Sequence, residues 1–266
     1  MSPLLVRPHA PDAEGVVVDV TPASAGWTYV GFRVVRLAAG ERYDAREAGR
    51  EACIVVLSGS VAAEADGERF ALGGRASVFE PVGASLYLPA NAPYTLVAGG
   101  AAEVAICTAP GTGAGIVQVI AADAVGRETR GTGTNTRHVR NILPDTSDIA
   151  ESLLVVEVVT PGGHWSSYPP HKHDRDALPE ESLLEETYYH RLNPPQGFAF
   201  QRVYTDDRSL DEALAVQDGD VVLVPRGYHP VGAAHGYDLY YLNVMAGPSR
   251  RWVFANDPAH AWIMGK

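Results

Sequence analysis

Short apolar runs broken by turn residues constrain this sequence more than any other feature. Runs such as VVVDV and CIVVLSGSV in the first half, and LLVVEVVT and DVVLVP in the second, are bounded by Gly, Pro and Asp. With 27 glycines and 19 prolines spread along 266 residues, few windows could sustain three turns of helix. Closely spaced runs of about four to seven residues predict antiparallel strands packed as sandwiches or barrels. We therefore expect an all-β protein.

Two β domains of similar size are predicted on either side of a polar segment, residues 126–144. This segment, GRETRGTGTNTRHVRNILP, contains four arginines and two glycine-threonine pairs with little apolar content, which is typical of a connector. The predicted domains are therefore residues 1–125 and residues 145–266.

The two halves share a late pattern that indicates duplication of one barrel. Residues 85–94 (SLYLPANAPY) and 221–229 (VVLVPRGYH) each contain an apolar strand, a proline at its end and a short turn. Only the second copy ends in a histidine, and no H-x-H occurs before residue 138. We expect a first barrel that lacks metal ligands and a second barrel that carries the chemistry.

The charge of the chain argues against one class of partner. Its 32 acidic and 21 basic residues give a formal net charge of -11, whereas nucleic-acid-binding domains carry basic patches. No segment approaches the roughly 20 apolar residues of a membrane span, and the N-terminus lacks a signal-peptide core. We expect a cytoplasmic protein with a small-molecule substrate and two buried thiols, Cys53 and Cys107. Exposed sheet edges make a homo-oligomer possible.

Histidine is concentrated in the second half, where seven of the nine lie between His164 and His260. Residues two apart in an extended segment point to the same face. His171 and His173 would therefore face inward together, and Lys172 would face outward. A carboxylate from a neighbouring strand and a third histidine would complete an N/O site suited to Zn, Mn, Fe, Ni or Cu.

Further residues follow this pair in a fixed order. A glutamate, Glu186, begins the strand EETYYHRL, and GDVVLVPRGYH ends at His229. The order resembles the two motifs of the cupin superfamily, whose H-x-H, glutamate and later histidine bind one divalent metal inside a β-barrel. The resemblance implies that His171, His173, Glu186 and His229 hold such an ion in a bicupin, a chain of two cupin barrels.

The glutamate is the least certain position in this motif. Twelve residues separate His173 from Glu186, where cupins have three or four. Glu186 is preferred because it begins a strand whose inward set would include Tyr188 and His190. Three other acids compete for the role, namely Glu180, Glu181 and Glu185.

Longer stretches resemble one family. Residues 167–174 (SYPPHKHD), 184–207 (LEETYYHRLNPPQGFAFQRVYTDD) and 225–230 (PRGYHP), with CIVVLSGS and GRASVF in the first half, are similar to the 5-deoxy-glucuronate isomerase family of myo-inositol catabolism. That family is in turn similar to the zinc-containing ketol-isomerase of 5-keto-4-deoxyuronate. The resemblance implies an aldose-ketose isomerase that converts 5-deoxy-D-glucuronate, a small sugar acid, into 5-dehydro-2-deoxy-D-gluconate.

Such a reaction needs a Lewis acid, a proton carrier and a cation for the substrate carboxylate. The ion is expected to be zinc or manganese, with iron or nickel as alternatives. Candidates for the proton carrier are Tyr188, His190, Tyr204 and His164. Arg202, in the same alternation as Phe198 and Phe200, is the first candidate for the carboxylate, and Arg137 and Arg140 are alternatives.

Two other functions are compatible with the same ligand set. A cupin dioxygenase would use Fe(II) and O2 at these residues, and a non-catalytic cupin would bind a sugar acid without turnover. The length of the isomerase-like stretches favours the isomerase over both.

Overall fold

The structure, a computed structural model, describes residues 2–265. Its regular structure is almost entirely β-strand, and the described residues contain one short α-helix, α1 (Pro22–Ala25), and two 3-10 turns, Gly133–Asn135 and Ala261–Gly265. None of these helices is long and apolar enough to cross a membrane. The all-β prediction is confirmed, and both cysteines are buried thiols as expected.

The strands follow one another at short intervals. Those of the first half are β1 (Leu5–Val6), β2 (Val16–Val20), β3 (Gly31–Leu37), β4 (Arg42–Arg46), β5 (Arg50–Ala65), β6 (Glu68–Arg75), β7 (Ser85–Leu88), β8 (Pro93–Ala98), β9 (Ala102–Pro110) and β10 (Gln118–Ile120). Those of the second half are β11 (Gly126–Arg130), β12 (Arg137–Leu143), β13 (Leu154–Thr160), β14 (Trp165–Ser166), β15 (His171–Lys172), β16 (Asp174–Ala177), β17 (Glu181–Leu183), β18 (Glu185–Asn193), β19 (Ala199–Tyr204), β20 (Asp211–Val216), β21 (Val221–Val224), β22 (Val231–Ala233), β23 (Asp238–Ala246) and β24 (Ala255–Asn256).

The chain divides into two compact units whose boundaries differ from the predicted ones. The N-terminal unit comprises residues 8–126 and 140–156, and the C-terminal unit comprises residues 2–7, 127–139 and 157–265. The first residues belong to the C-terminal unit because β1 pairs with β21.

The predicted connector, residues 126–144, instead forms strand β11, a 3-10 turn and strand β12. Its average composition is polar, but β12 buries Val139, Ile142 and Leu143 while its other side chains remain at least partly exposed. An average over the whole segment conceals these three buried positions.

Strand order supports the predicted duplication. One sheet contains the order β10-β7-β5-β9-β3-β2, and the other contains β1-β21-β18-β23-β13-β12. In each, the strand before the proline turn (β7 or β21) pairs with a long central strand (β5 or β18). The register also matches, because Ala52 lies opposite Leu88 and Glu186 lies opposite Val224, and both partners immediately precede the proline.

The interior of the N-terminal barrel is filled with apolar side chains. Ala52, which has the register position of Glu186, lies in a buried cluster with Ile54 and Leu86. Tyr94, near the position that corresponds to His229, belongs to the same cluster. The buried members of this cluster include no histidine, cysteine, aspartate or glutamate, so the cluster offers an ion none of its usual ligands. Among the described residues, the only group of three or more side chains placed to hold an ion lies in the C-terminal unit.

Candidate metal centre

Two histidines of the candidate site come from one extended segment. His171 lies in β15, which pairs with β24, and His173 follows it two residues later. Both side chains are buried, and their ring centroids are 6.3 Å apart. Burial, together with the neighbouring His229 and His173, lowers the pKa of His171 well below its ordinary value. His171 is therefore a neutral imidazole, the form that binds metals.

The third histidine is held by a tight turn after β21. His229 is fully buried, and its Nδ1 donates to the carbonyl oxygen of Gly227 at 2.9 Å. Gly227 has φ +91°, and a Cβ there would lie 2.4 Å from the carbonyl oxygen of Tyr204. Only glycine fits this turn, which brings His229 back beside the H-x-H segment. Burial lowers the pKa of His229 to about 4, so this ring is also neutral.

Glu186 is the acid that meets these rings. It begins the inward face of β18, is 1% exposed, and places Oε2 at 3.1 Å from His173 Nε2 and 3.2 Å from His229 Nε2. Glu181 instead pairs with Arg175, and Glu180 is exposed. Glu185 lies one residue away on β18 and points to the opposite face.

The donor set fits a divalent ion. His173 Nδ1 donates to the carbonyl oxygen of Leu184 at 3.0 Å, as His229 Nδ1 does to that of Gly227, so in the neutral ring each Nε2 presents a lone pair. Both Nε2 atoms face the same carboxylate oxygen. A proton on His173 Nε2 forms a hydrogen bond with that oxygen, whereas the buried His229 Nε2 has no hydrogen-bond partner. One ligand atom from each histidine lies within 4.8 Å of the others. A cation at this point would replace the proton and be coordinated by three nitrogens and one oxygen.

The pKa of His173 also indicates a site that favours a positive charge. Burial alone would lower the pKa of His173, but the hydrogen bond and negative charge of Glu186 outweigh burial and raise it. This point of the structure therefore attracts positive charge.

A small cavity adjoins the histidines. Its walls include His171, Tyr188, Tyr241, Arg137, Arg130 and Trp252. The volume that the centre of a water molecule can occupy in this cavity is about 20 Å³, so the cavity has room for one or two waters. The guanidinium of Arg130 stacks on the Trp252 ring at 5.1 Å, and both side chains are half-buried.

Two tyrosines carry hydroxyl groups in this cavity. The Tyr188 hydroxyl lies 2.8 Å from Ser167 Oγ, and the Tyr241 hydroxyl lies 2.5 Å from Ser166 Oγ. Burial raises the pKa of both phenols, that of Tyr188 well above its ordinary value. Both therefore remain protonated and can donate hydrogen bonds.

Arg137 is the predicted carboxylate-binding residue that reaches the cavity. Its guanidinium donates to the carbonyl oxygens of Asn135 and Tyr168, at 3.1 and 3.3 Å. Burial, and the nearby positive charge of Arg130, lower its pKa from an ordinarily very high value, so it remains a cation. A half-buried guanidinium that bonds carbonyls is suited to a carboxylate ligand.

Arg202 does not reach the cavity, which corrects the first choice for this role. Its side chain is exposed and forms a bidentate pair with Asp211 at 2.8 and 2.7 Å. Along β19 the buried residues are Ala199, Gln201, Val203 and Tyr204, whereas Phe200 and Arg202 face solvent. Phe198 and Phe200, which are exposed, therefore indicated the wrong face for Arg202.

Several proton-carrier candidates also lie outside the cavity walls. Tyr204 donates to Asp257 at 2.8 Å, and His190 Nε2 lies 2.9 Å from Gln201 Oε1. His164 bonds the carbonyl oxygen of Thr136, and Arg140 in the N-terminal unit bonds that of Val78. Of the named proton carriers, Tyr188 is the one that lines the cavity.

Five polar or aromatic residues of the cavity were not predicted, namely Tyr241, Asn243, Ser167, Arg130 and Trp252. Tyr241 had a detectable signal. It lies opposite His190 in the register of β23 with β18, and Asn243 lies opposite Tyr188. Polar residues at alternate positions of an otherwise apolar strand could have indicated the site.

The chain is similar to one protein family along nearly its whole length. A family model described as the KduI/IolB family matches residues 4–263. The curated 5-deoxy-glucuronate isomerase of Geobacillus kaustophilus is 56% identical over 266 residues, which cover 99% of this chain and 96% of that protein. The protein of the same name from Bacillus subtilis is 50% identical over 270 residues, again covering 99% of each chain.

Solved structures give a matching result. An IolB-like protein from Salmonella typhimurium LT2 superposes with a TM-score of 0.94 at 50% identity, covering 98% of this chain and 99% of that one. The oxalate decarboxylase of Lactobacillus farciminis gives a TM-score of 0.70 at 13% identity, covering 100% and 91%. The second likeness concerns the fold alone, and it confirms the expected bicupin architecture.

Proposed function

We propose, from the premise that this chain belongs to the KduI/IolB family, that it isomerises 5-deoxy-D-glucuronate to 5-dehydro-2-deoxy-D-gluconate in the breakdown of myo-inositol. The observation that carries the proposal is the 56% identity, over 99% of the chain, to a protein named 5-deoxy-glucuronate isomerase. Relatives of this name at 50% identity or more support an isomerase.

The proposed metal ligands are His171, His173, Glu186 and His229, and zinc or manganese is the proposed ion. When bound, the ion would polarise the carbonyl of the substrate and stabilise negative charge on the adjacent oxygens. Support comes from the Nε2 atoms of His173 and His229, which lie 3.1 and 3.2 Å from one carboxylate oxygen of Glu186.

Arg137 is proposed to bind the substrate carboxylate. Its guanidinium is half-buried and its hydrogen bonds go to carbonyl oxygens, so an incoming carboxylate would be the stronger acceptor. Arg130 adds a second positive charge to the same cavity.

Tyr188 is proposed to donate a proton to a substrate oxygen. Its raised pKa keeps the phenol protonated. The proton given to the carbonyl oxygen would be regained from the neighbouring hydroxyl of the substrate, which loses one in the same isomerisation. The hydrogen bond with Ser167 Oγ at 2.8 Å orients the phenol. The reaction moves hydrogen between adjacent carbons without net redox change, so no nicotinamide or flavin is required.

The cavity must widen to admit a sugar acid. Ligand pockets usually measure about 300 Å³ or more, whereas this cavity has about 20 Å³ open to water centres. The half-buried pair of Arg130 and Trp252 forms the wall proposed to move, since a cation-π contact costs little to separate.

A direct assay tests the proposed reaction. Purified protein loaded with Zn²⁺ or Mn²⁺ is incubated with 5-deoxy-D-glucuronate under nitrogen, and the products are identified by NMR. We expect 5-dehydro-2-deoxy-D-gluconate to form without oxygen, up to the equilibrium ratio of the two isomers. Oxygen uptake that is coupled to substrate loss would instead indicate a dioxygenase, and binding without conversion would indicate a non-catalytic protein.

A further inference from the structure

Lys172 lies between two proposed metal ligands and faces away from them. Its side chain is 8% exposed, and its ammonium lies 3.0 Å from Asp174 Oδ1 and 2.7 Å from Asp206 Oδ2. A buried lysine held by two carboxylates differs from an ordinary surface ion pair, which contributes little.

Both carboxylates also form hydrogen bonds with the turn that carries His229. Asp174 Oδ2 accepts the backbone N–H of Gly227 at 2.9 Å, and Asp206 Oδ1 accepts the Tyr228 hydroxyl at 2.8 Å. Gly227 and Tyr228 immediately precede His229. Lys172 therefore joins the H-x-H segment to the turn at two points.

One of these connections reaches the His229 ring itself. The carbonyl oxygen of Gly227 accepts the hydrogen on His229 Nδ1 at 2.9 Å. A continuous path of hydrogen bonds thus runs from the Lys172 ammonium through Asp174 and Gly227 to the imidazole. Groups that orient ligand histidines in this way tune metal affinity.

A third contact joins Lys172 to the same turn. The Lys172 ammonium lies 5.6 Å from the centre of the Tyr228 ring, and Tyr228 immediately precedes His229. A cation at this distance from a tyrosine ring is attracted to it. This contact therefore adds to the two hydrogen-bonded connections through Asp174 and Asp206.

We propose that Lys172 is a positioning residue of the metal centre, which sets the distance between the H-x-H segment and His229 through Asp174 and Asp206. The inference rests on the proposed metal site. It assigns to Lys172 a role in metal affinity that a residue facing away from the ion would not otherwise have.

The test compares Lys172→Met with Lys172→Arg and Arg175→Met. Arg175→Met is the matched control, because Arg175 lies three residues away and its guanidinium pairs with Glu181 at 2.8 Å, and not with the carboxylate of Asp174 or Asp206. Zn²⁺ and Mn²⁺ are each titrated into the apoproteins in competition with a chelator, and the Tm of each apoprotein is measured.

We expect Lys172→Met to weaken metal affinity by about 10- to 100-fold, the usual effect of losing a group that orients a ligand. Lys172→Arg, which retains the charge, should lose less, and Arg175→Met should bind metal within about two-fold of the unsubstituted protein. If Lys172→Met does not fold, Asp206→Asn replaces it, since the Asp206 side chain is 64% exposed.

Two results would overturn the inference. Unchanged metal affinity in Lys172→Met, or in Asp206→Asn where that variant replaces it, would leave Lys172 with a purely structural role. An equal loss of affinity in Arg175→Met would show that any ion pair on this segment has the same effect. Failure of the unsubstituted protein to bind either metal would contradict the proposed metal centre itself, so the two failures are distinguishable.

Discussion

The contacts of Glu186 identify the candidate acidic ligand, which the sequence alone could not choose among four acids. Four acids competed after an unusual insertion, and the distances of 3.1 and 3.2 Å from Oε2 to two histidines distinguish one of them. Its carboxylate is the negative charge of the proposed ligand set.

Glu186→Gln should therefore lower metal content sharply, because an amide oxygen is a weaker and neutral ligand. Glu180→Gln, an exposed acid of the same insertion, should leave metal content unchanged. Elemental analysis of both proteins after dialysis checks the expectation. Equal metal content in the two variants would contradict the assignment.

Tyr188→Phe removes one oxygen from the cavity and leaves the ring. Because loss of a general acid usually costs about 10²- to 10⁴-fold in rate, we expect kcat to fall within that range. Metal content should stay at the level of the unsubstituted protein. Tyr204→Phe is the control, since its hydroxyl bonds Asp257 outside the cavity and kcat should hardly change. A Tyr188→Phe enzyme with full kcat would remove Tyr188 from the mechanism.

Arg137→Gln should raise KM for the sugar acid more than it lowers kcat, because the guanidinium is proposed to hold a carboxylate that does not react. A hydrogen bond to a charged group contributes about 1.5–3 kcal/mol, which corresponds to about 10- to 150-fold. Arg202→Gln removes an exposed arginine already paired with Asp211 and should leave KM unchanged. Steady-state kinetics of the pair decide between the two arginines, and a larger KM effect in Arg202→Gln would reverse the assignment.

At the scale of elements, strands were predictable wherever one residue type dominated a run. Runs such as VVLV and CIVVL gave their strands directly, because apolar runs between turn residues have few alternatives. The parity of His171 and His173 was predictable because residues two apart in an extended segment point to the same face. Arg202 was misplaced because Phe198 and Phe200, 44% and 53% exposed, were assumed to face inward.

The prediction that residues 126–144 form a connector was wrong for a different reason. Its strands are rich in arginine, and two of these arginines, Arg130 and Arg137, line the cavity. Arginines that line the cavity thus gave these strands the average composition of a loop. Composition alone could not distinguish such strands from a connector.

Gly227→Ala tests the turn that presents His229. Both Gly227 and Gly236 have positive φ, but a Cβ at Gly227 would lie 2.4 Å from the Tyr204 carbonyl oxygen, whereas nothing lies within 4 Å at Gly236. Both alanine variants should carry the backbone strain of about 1–2 kcal/mol. Gly227→Ala should in addition lower the Tm further and reduce metal content, as thermal unfolding and elemental analysis would measure. Equal effects in both variants would mean that the close contact is unimportant.

For the molecule as a whole, the same strand order supports two different interiors. The N-terminal barrel has Ala52 at the position where the C-terminal barrel has Glu186, and its interior is closed by apolar packing. The loss of a few ligand positions, with the strand order retained, accounts for the presence of a candidate metal centre in one barrel.

The most direct test of the account is to remove the metal and return it. The purified protein is treated with a chelator until elemental analysis finds no bound ion, then assayed for isomerisation of 5-deoxy-D-glucuronate before and after addition of Zn²⁺ or Mn²⁺. We expect the metal-free protein to remain folded and inactive, and activity to return as about one ion binds per chain. Full activity in the metal-free protein would contradict the account.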